Sequence, residues 1–354
     1  MTTNSSGVTK FLSRLQPVCA LSEARRKELA GQCAVEWTPR GEDPFLQRGT
    51  AGQSVWLLAG EIKLDLADGS TRVLVGNTGE TEWPLGKNLS ALRAAKAITD
   101  IGLLRIDDET LDIMMTWDQL SEASTAASSA AEKTDWRLMS GAFHLQSLTV
   151  GVLSHLPPAN IDALLNRFER IRCKSGECIL RQGDVGDYYY LIESGRCTVT
   201  RQVGGVELTL AELKPGDAFG EEALVAESTR NATVTMKRGG VLLRLGKHDF
   251  VELLREPLLH RMNWTEAEAR VAAGTTWIDV RYTSEYQYNR LPGALNVPLA
   301  EIRNAIGVLD RNREYVVYCQ SGRRASAAAF LLSQRGYRAS YLDGGLKVCE
   351  LPGA

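Results

Sequence analysis

The stretch Phe219-Gly220-Glu221-Glu222-Ala223-Leu224-Val225-Ala226-Glu227-Ser228-Thr229-Arg230-Asn231-Ala232-Thr233-Val234 decides how most of this chain is read. It follows Lys214-Pro215-Gly216-Asp217, a turn signal. Gly220 lets the backbone turn tightly and leave its N–H groups pointing outward, and Glu221 to Val225 reads as a short helical turn. The N-terminus of such a turn attracts an anion through its free N–H groups and its dipole. Glu221 stands beside that terminus, and Arg230 arrives nine positions later, just ahead of the β-prone run Thr233-Val234-Thr235-Met236. A carboxylate accepts from a sugar hydroxyl, and a guanidinium offers a charged fork to phosphate oxygens. The set therefore suits a ribose cyclic phosphate. The competing reading is an Arg230–Glu221 ion pair inside an empty β-roll.

The stretch resembles the phosphate-binding cassette of cyclic-nucleotide-binding domains, whose usual pattern is F-G-E-x-A-L, a short gap, then R-x-A. The resemblance implies that Gly220 and the N–H groups after it, through Glu222 and Ala223, cradle the phosphate. It implies that Glu221 holds the 2′-hydroxyl, that Arg230 holds the exocyclic oxygens, and that Asn231 borders the site. A cyclic nucleotide, cAMP or cGMP, is then expected as a regulatory ligand. Glu222 stands where the family has an aliphatic residue, and Asn231 where it has a small one. Both departures bear on affinity more than on fold.

Working outward, 354 residues allow two or three domains. A content of 44% hydrophobic and 24% charged residues is ordinary for a soluble globular protein. Net charge is −2 with no basic block, which argues against a nucleic-acid partner. The N-terminus, Met1 to Gly7, lacks an apolar signal core, and no apolar run approaches the roughly 20 residues that span a bilayer. No membrane association and a cytoplasmic location are expected. The seven cysteines are scattered and odd in number, as for thiols in a reducing compartment. Cys173 and Cys178 flank a turn, but no second pair completes a zinc set, so they are expected to be small buried residues and no metal is expected.

Residues 11–118 read as a weaker copy of residues 146–255. Leu21-Ser22-Glu23 opens a helical run as Leu156-Pro157-Pro158 does. Arg40-Gly41-Glu42 matches Ser175-Gly176-Glu177, and Leu104-Arg105-Ile106 matches Leu243-Arg244-Leu245, each ahead of a final helix. Short strands broken by glycine turns argue for an all-β roll. The first copy has Thr81-Glu82-Trp83-Pro84-Leu85-Gly86 where the second has its cassette. Arg93 falls near the arginine position, but Pro84 removes an N–H that a phosphate cradle needs. The first copy is thus degenerate, suited to packing, dimerisation or regulation. Ser121 to Ala130 is small, polar and alanine-rich, a linker with helical bias.

After Phe250-Val251-Glu252-Leu253-Leu254 no helix-turn-helix pattern follows, which disfavours a DNA-binding regulator. Instead, a helix from Trp264, a strand Thr276–Arg281, a turn at Leu291-Pro292-Gly293-Ala294, a strand Tyr315–Tyr318, a helix Ala325–Arg335 and a strand Ala339–Leu342 alternate. That order implies a parallel α/β sheet. Cys319 ends the central strand and is followed by Gln320-Ser321-Gly322-Arg323-Arg324 and a helix. Sites in such sheets lie at the carboxyl ends of strands. A thiol there feels a helix dipole and two arginines, both of which favour the nucleophilic thiolate. The competing reading is an inert, half-buried cysteine. The four histidines, His144, His155, His248 and His260, lie outside this segment, so a Cys–His hydrolase is unsupported.

This region resembles the rhodanese family of sulfurtransferases over about residues 264–346. The matching motifs are Ile278-Asp279-Val280-Arg281, Leu291 to Pro298, Cys319 to Ala325, and Leu342-Asp343-Gly344-Gly345. The resemblance implies that Cys319 takes a sulfane sulfur as a persulfide, held by the N–H groups of Gln320, Ser321 and Gly322. It implies that Arg324, with Arg323, attracts a small anionic donor such as thiosulfate, that a thiol accepts the sulfur, and that Asp279 is a buried structural acid. Four residues separate Cys319 from Arg324; related phosphatases have five, so phosphatase chemistry is the weaker reading. The short tail after Gly345 is expected to leave the site open.

The two resemblances imply a multidomain chain: two β-roll (jelly-roll-like) domains of the cyclic-nucleotide-binding type, then an α/β rhodanese domain with a parallel sheet. The expected bounds are 11–120 for the degenerate roll, 121–140 for a linker, 141–262 for the nucleotide-binding roll and 263–354 for the rhodanese domain. The expected function is a cyclic-nucleotide-responsive sulfurtransferase; the alternative is a non-catalytic regulatory or scaffold protein that binds a nucleotide or dimerises through its rolls. Relatives with such rolls often dimerise, so a homodimer is expected. Leu258, Leu259 or Trp264 is expected to cap a bound base.

Overall fold

A computed structural model of the chain describes residues 5–46, 49, 51–85, 92–126, 143–149, 152–225, 229–254 and 259–349. Gly86, residues 127–142 of the linker region and Leu258 lie outside the described residues. The chain divides into two units, Met1–Gln119 with His260–Ala354, and Leu120–Leu259.

The first unit opens with helices α1 (Ser5–Leu12) and α2 (Glu23–Ala30). A roll follows, made of β1 (Val35–Thr38), β2 (Gln53–Ala59), β3 (Glu61–Leu66), β4 (Thr71–Val75), β5 (Leu92–Ala97) and β6 (Ile101–Asp107). Its sheets run β1-β6-β2 and β4-β3-β5, with every pairing antiparallel. In β3 the alternation is strict: Ile62, Leu64 and Leu66 are buried while Lys63 and Asp65 are not. Successive side chains of a strand face opposite sides, so this pattern alone sets which face meets the core of Val55, Leu57, Ile101 and Leu103.

Helix α3 (Asp108–Ala126) leaves the roll directly from β6. It is tied back to the start of α2, where Ser22 donates through its N–H and Oγ to Asp118, at 2.8 and 2.6 Å. Ahead of the first copy's degenerate segment and overlapping its start, Gly79–Glu82 forms a single turn. Trp83 of that segment lies flat on Tyr288 of the C-terminal domain, ring centroids 3.8 Å apart and 6° from parallel.

That C-terminal domain contains β13 (Arg261–Met262), α8 (Trp264–Ala272), β14 (Thr276–Asp279), α9 (Thr283–Tyr288), β15 (Leu295–Asn296), α10 (Ile302–Ala305), β16 (Glu314–Tyr318), α11 (Arg323–Ser333) and β17 (Arg338–Leu342). The five strands form one sheet in the order β13-β17-β16-β14-β15, every pair parallel. β16 sits at the centre, and Tyr315, Val316, Val317 and Tyr318 are all buried. A strand covered on both faces reads as an apolar run rather than an alternation. Trp264 stacks on Trp277 in this core, 6.0 Å between centroids. The expectation that it caps a base is corrected: its ring is used in packing.

The second unit holds α4 (Leu145–Thr149), α5 (Ile161–Arg167), β7 (Glu169–Cys173), β8 (Cys178–Leu180), β9 (Tyr188–Val203), β10 (Val206–Leu213), β11 (Ala218–Phe219), α6 (Glu221–Val225), β12 (Thr233–Gly246) and α7 (Lys247–Leu253). Its antiparallel sheet runs β10-β9-β12-β7, with β11 on β9 and β8 on β12. The core gathers Tyr190, Ile192, Cys197, Phe219, Val234, Met236 and Leu242. Cys173 is buried as expected, but Cys178 is exposed, because the turn after Cys173 carries it out of the core.

Candidate functional site

In the C-terminal domain, Cys319 emerges from the end of β16 at the carboxyl edge of the parallel sheet. The chain then wraps into α11, whose N-cap Gly322 takes φ 93°, a left-handed conformation open mainly to glycine. This turn brings the Gly322 N–H to 3.2 Å from Cys319 Sγ. The loop is held from behind by the turn after β17: Leu346 N–H donates to the Cys319 carbonyl at 2.9 Å and Lys347 N–H to that of Gln320 at 3.1 Å. The approach is so close that a Cβ on Gly345 would lie 2.3 Å from the Cys319 carbonyl oxygen. The four sequence motifs of this region thus have distinct structural tasks. Asp279 is fully buried and pairs with Arg281 at 2.7 Å, fixing the end of β14. The Leu291–Ala294 turn is pinned by the Tyr318 hydroxyl, which accepts from Leu291 N–H at 3.1 Å, and by Tyr286, whose hydroxyl donates to the Ala294 carbonyl at 2.8 Å.

Around Cys319 the polar groups are almost all committed. Arg324 is 1% exposed and donates two charged hydrogen bonds to Glu285 of α9, at 2.8 and 3.1 Å. Ser321 Oγ donates to Asp112 of α3, whose other oxygen lies 3.5 Å from Arg324 Nε. Arg323 lies 3.8 Å from Asp112 and 3.6 Å from Glu109, and its own N–H donates to Ser321 Oγ. Cys319 is 0% exposed, with a carboxylate of the first roll's helix over its loop. Burial pushes the Cys319 thiol up, and Asp112 adds to this; Arg324 and the N–H groups of Ala325 and Ser321 pull down without prevailing. Arg324 and the N–H groups at the helix start act in the expected direction, toward the thiolate, but loss of water and then Asp112 outweigh them. A cavity opens beside the loop, lined by Gln320, Arg324, Lys347, Asp112, Trp83 and Tyr288 among others.

In the second unit, Gly220 takes φ 95° and Glu221 heads α6. Arg230 is buried and donates to the Gly220 carbonyl at 2.7 Å and the Tyr188 carbonyl at 2.8 Å, with Asp187 at 3.3 Å. The Arg230–Glu221 pair of the competing reading does not form; Asp187 takes that place. Glu221 keeps one buried oxygen, and Arg230 its Nε, without a hydrogen-bond partner. A buried acceptor and a buried donor left unpaired fit a polar ligand with hydroxyl and phosphate groups. Burial pushes the Glu221 carboxyl up, Glu222 adding to it, against its own N–H and Arg230. Glu222 is exposed and accepts from the Asn231 side chain, so the two positions that depart from the family pattern meet each other. Ala223 is buried at the base of α6.

Three carboxylates of these sites were not legible in the sequence. Glu285 is signalled only as a helix-start acid whose side chain accepts from Tyr282 N–H. Asp187 is the residue immediately before β9. Asp112 lies 209 positions from Ser321 and in another domain, so no local pattern points to it. On α7, His248, Asp249 and Glu252 bring their ligand atoms together at the surface, where Arg167 pairs with both carboxylates at 3.0 and 2.9 Å.

A family model described as a cyclic nucleotide-binding domain matches residues 170–256, and one described as a rhodanese-like domain matches residues 263–350. A cyclic AMP receptor protein of Thermus thermophilus is 32% identical over 47% of this chain and 76% of its own. The thiosulfate sulfurtransferase PspE of Escherichia coli is 40% identical over 23% of this chain and 81% of its own. The chain belongs to both families. A cAMP-dependent protein kinase regulatory subunit of Emericella nidulans is 32% identical over 43% of this chain and 40% of its own, so the chain spans less than half of that relative. The rhodanese-like domain contains the Cys319 loop, and the cyclic nucleotide-binding domain contains Gly220, Glu221 and Arg230. Among the described residues no helix is long and apolar enough to cross a membrane.

Proposed function

We propose that this chain is a cyclic-nucleotide-responsive sulfurtransferase. Cys319 accepts a sulfane sulfur as a persulfide and passes it to a thiol. The observation that carries the reading is the Gly322 N–H aimed at Cys319 Sγ at 3.2 Å, at the start of the helix that follows the strand. In the transfer the Cys319 thiolate attacks the outer sulfur of the donor. The donor's S–S bond breaks and its remainder leaves with the bonding pair, as sulfite from thiosulfate or as a thiolate from a persulfide. Gln320, Ser321 and Gly322 supply the loop's backbone, and Arg323 and Arg324 its positive charge. The domain bounds expected from the sequence, a cytoplasmic location and a homodimer are part of this proposal.

The regulatory half rests on Glu221 and Arg230. The unpaired Glu221 oxygen is suited to a ribose hydroxyl and Arg230 Nε to a phosphate oxygen of cAMP or cGMP. One observation favours a second reading, a purely structural roll: two Arg230 nitrogens are already spent on Gly220, Tyr188 and Asp187. Both readings are tested by measuring sulfur transfer from thiosulfate and from cysteine persulfide, with and without each nucleotide, alongside calorimetry. Equal rates for the wild type and Cys319→Ala with both donors would sink the enzyme. No heat and no change in thermal stability with either nucleotide would leave the roll structural.

A further inference from the structure

The degenerate roll contributes a residue to the sulfur site. Asp112 projects from α3 and is 6% exposed. One of its oxygens accepts from Ser321 Oγ and lies 3.8 Å from Arg323 Nε, and the other lies 3.5 Å from Arg324 Nε. Those three groups belong to the loop that follows Cys319, and they are the donors and cations a small oxyanion would engage there. Among the described residues, Arg324 Nε and the facing Asp112 oxygen both lack a hydrogen bond, so the carboxylate neutralises the seat without filling it. The remaining fork of Arg324 is used by Glu285. Around the loop and the cavity beside it, Arg323, Arg324, Arg281 and Lys347 stand against Asp112, Glu285, Asp108 and Glu109, and Asp112 is the carboxylate hydrogen-bonded to Ser321 of the loop.

We propose that Asp112 is a specificity-determining residue of the Cys319 site, holding the place of an anionic donor group so that sulfur arrives from a persulfide rather than from a free dianion such as thiosulfate. The inference rests on the sulfurtransferase reading above and names its donor class. A dianion entering beside Asp112 meets like charge next to a fully buried Cys319, and like charges brought together select against the wrong partner. The reacting group of a persulfide, –S–SH, carries at most one charge. The Cys319 thiolate attacks its terminal sulfur, the S–S bond breaks, RS⁻ leaves with the bonding pair, and the terminal proton stays on the new Cys319 persulfide.

The test compares wild type, Asp112→Asn and Asp112→Glu in the full chain. Two ratios are read: kcat/KM for thiosulfate over cysteine persulfide, and the rate of Cys319 alkylation by iodoacetate over iodoacetamide, followed by mass spectrometry of the Cys319 peptide. Asp112→Asn is expected to raise both ratios on the order of tenfold, the first mainly through KM for thiosulfate, and Asp112→Glu to keep both near wild type. Unchanged ratios in Asp112→Asn overturn the proposal. If neither donor is turned over, the sulfurtransferase reading fails and the alkylation ratio still decides the charge of the seat. If Asp112→Asn does not fold, the wild type decides alone. Iodoacetate disfavoured at Cys319 relative to free glutathione supports the proposal, and iodoacetate favoured there overturns it.

Discussion

Cys319 is buried and its thiol is pushed above the ordinary range, first by loss of water and then by Asp112. Only the thiolate attacks, so a raised value means that less of it is present at neutral pH. Alkylation of Cys319 by iodoacetamide is therefore expected to keep rising with pH beyond the range of a free cysteine. A plateau at or below that range would contradict the geometry. Glu285 behaves in the opposite sense. Burial pushes its carboxyl up, but the Arg324 guanidinium at 2.8 Å, with Arg281 beyond, holds it below the usual carboxylate range. A depressed value in the folded state contributes stability that is present above the unfolded pKa and is lost as pH falls through the folded one. Glu285→Ala leaves the buried Arg324 without its two hydrogen bonds, with only Asp112 at 3.5 Å, and is expected to cost about 3 kcal/mol in urea unfolding of the first unit. The same variant should lose the acid-dependent part of that unit's stability curve.

At the scale of elements, each site is a strand end followed by a turn into a helix, and each depends on a close backbone approach. The turn after β17 touches the Cys319 loop so closely that Gly345→Ala places a Cβ 2.3 Å from a carbonyl oxygen. The loop must move, breaking the Leu346 N–H to Cys319 hydrogen bond. Sulfur transfer by Gly345→Ala is expected to fall by roughly an order of magnitude or more, as small misplacements of reacting groups do. Rates equal to wild type would show that the loop is not set by this turn. In the second unit, Glu221→Gln removes the charge but not the shape of the acceptor beside Gly220. Losing one charge-assisted hydrogen bond, about 1.5–3 kcal/mol, is expected to weaken cyclic nucleotide binding by about 10- to 100-fold in calorimetry.

At the scale of the whole molecule, the first roll packs against the rhodanese-like domain. Trp83, in the segment that replaced the cassette, stacks on Tyr288 of the rhodanese-like domain, and α3 of the same roll carries Asp112 over the Cys319 loop. A stacked aromatic pair contributes about 0.5–1.5 kcal/mol beyond its buried area. Trp83→Ala is expected to loosen this docking and shift donor preference toward thiosulfate, in the same direction as Asp112→Asn. A Trp83→Ala variant with wild-type preference would show that α3 is held by its ties to α2 alone.

What was legible in the sequence is what local pattern controls. Alternation in Glu61–Leu66, the apolar run Tyr315–Tyr318, the glycine before Glu221 and the cysteine before α11 each specify backbone shape within a few residues. Strand faces, turns and amide cradles follow from such shape by sterics and hydrogen bonding. The partners of the charges were decided only by the tertiary structure. Arg324, expected to bind the donor, is paired with Glu285; Arg230, expected to hold phosphate oxygens, donates to the Gly220 and Tyr188 carbonyls and to Asp187; and Asp112 of a different domain bears on the thiol's environment after burial itself. The reason is physical. Backbone geometry is fixed by neighbours along the chain, whereas the field at a buried atom sums every charge within a few ångströms, whatever its distance in sequence.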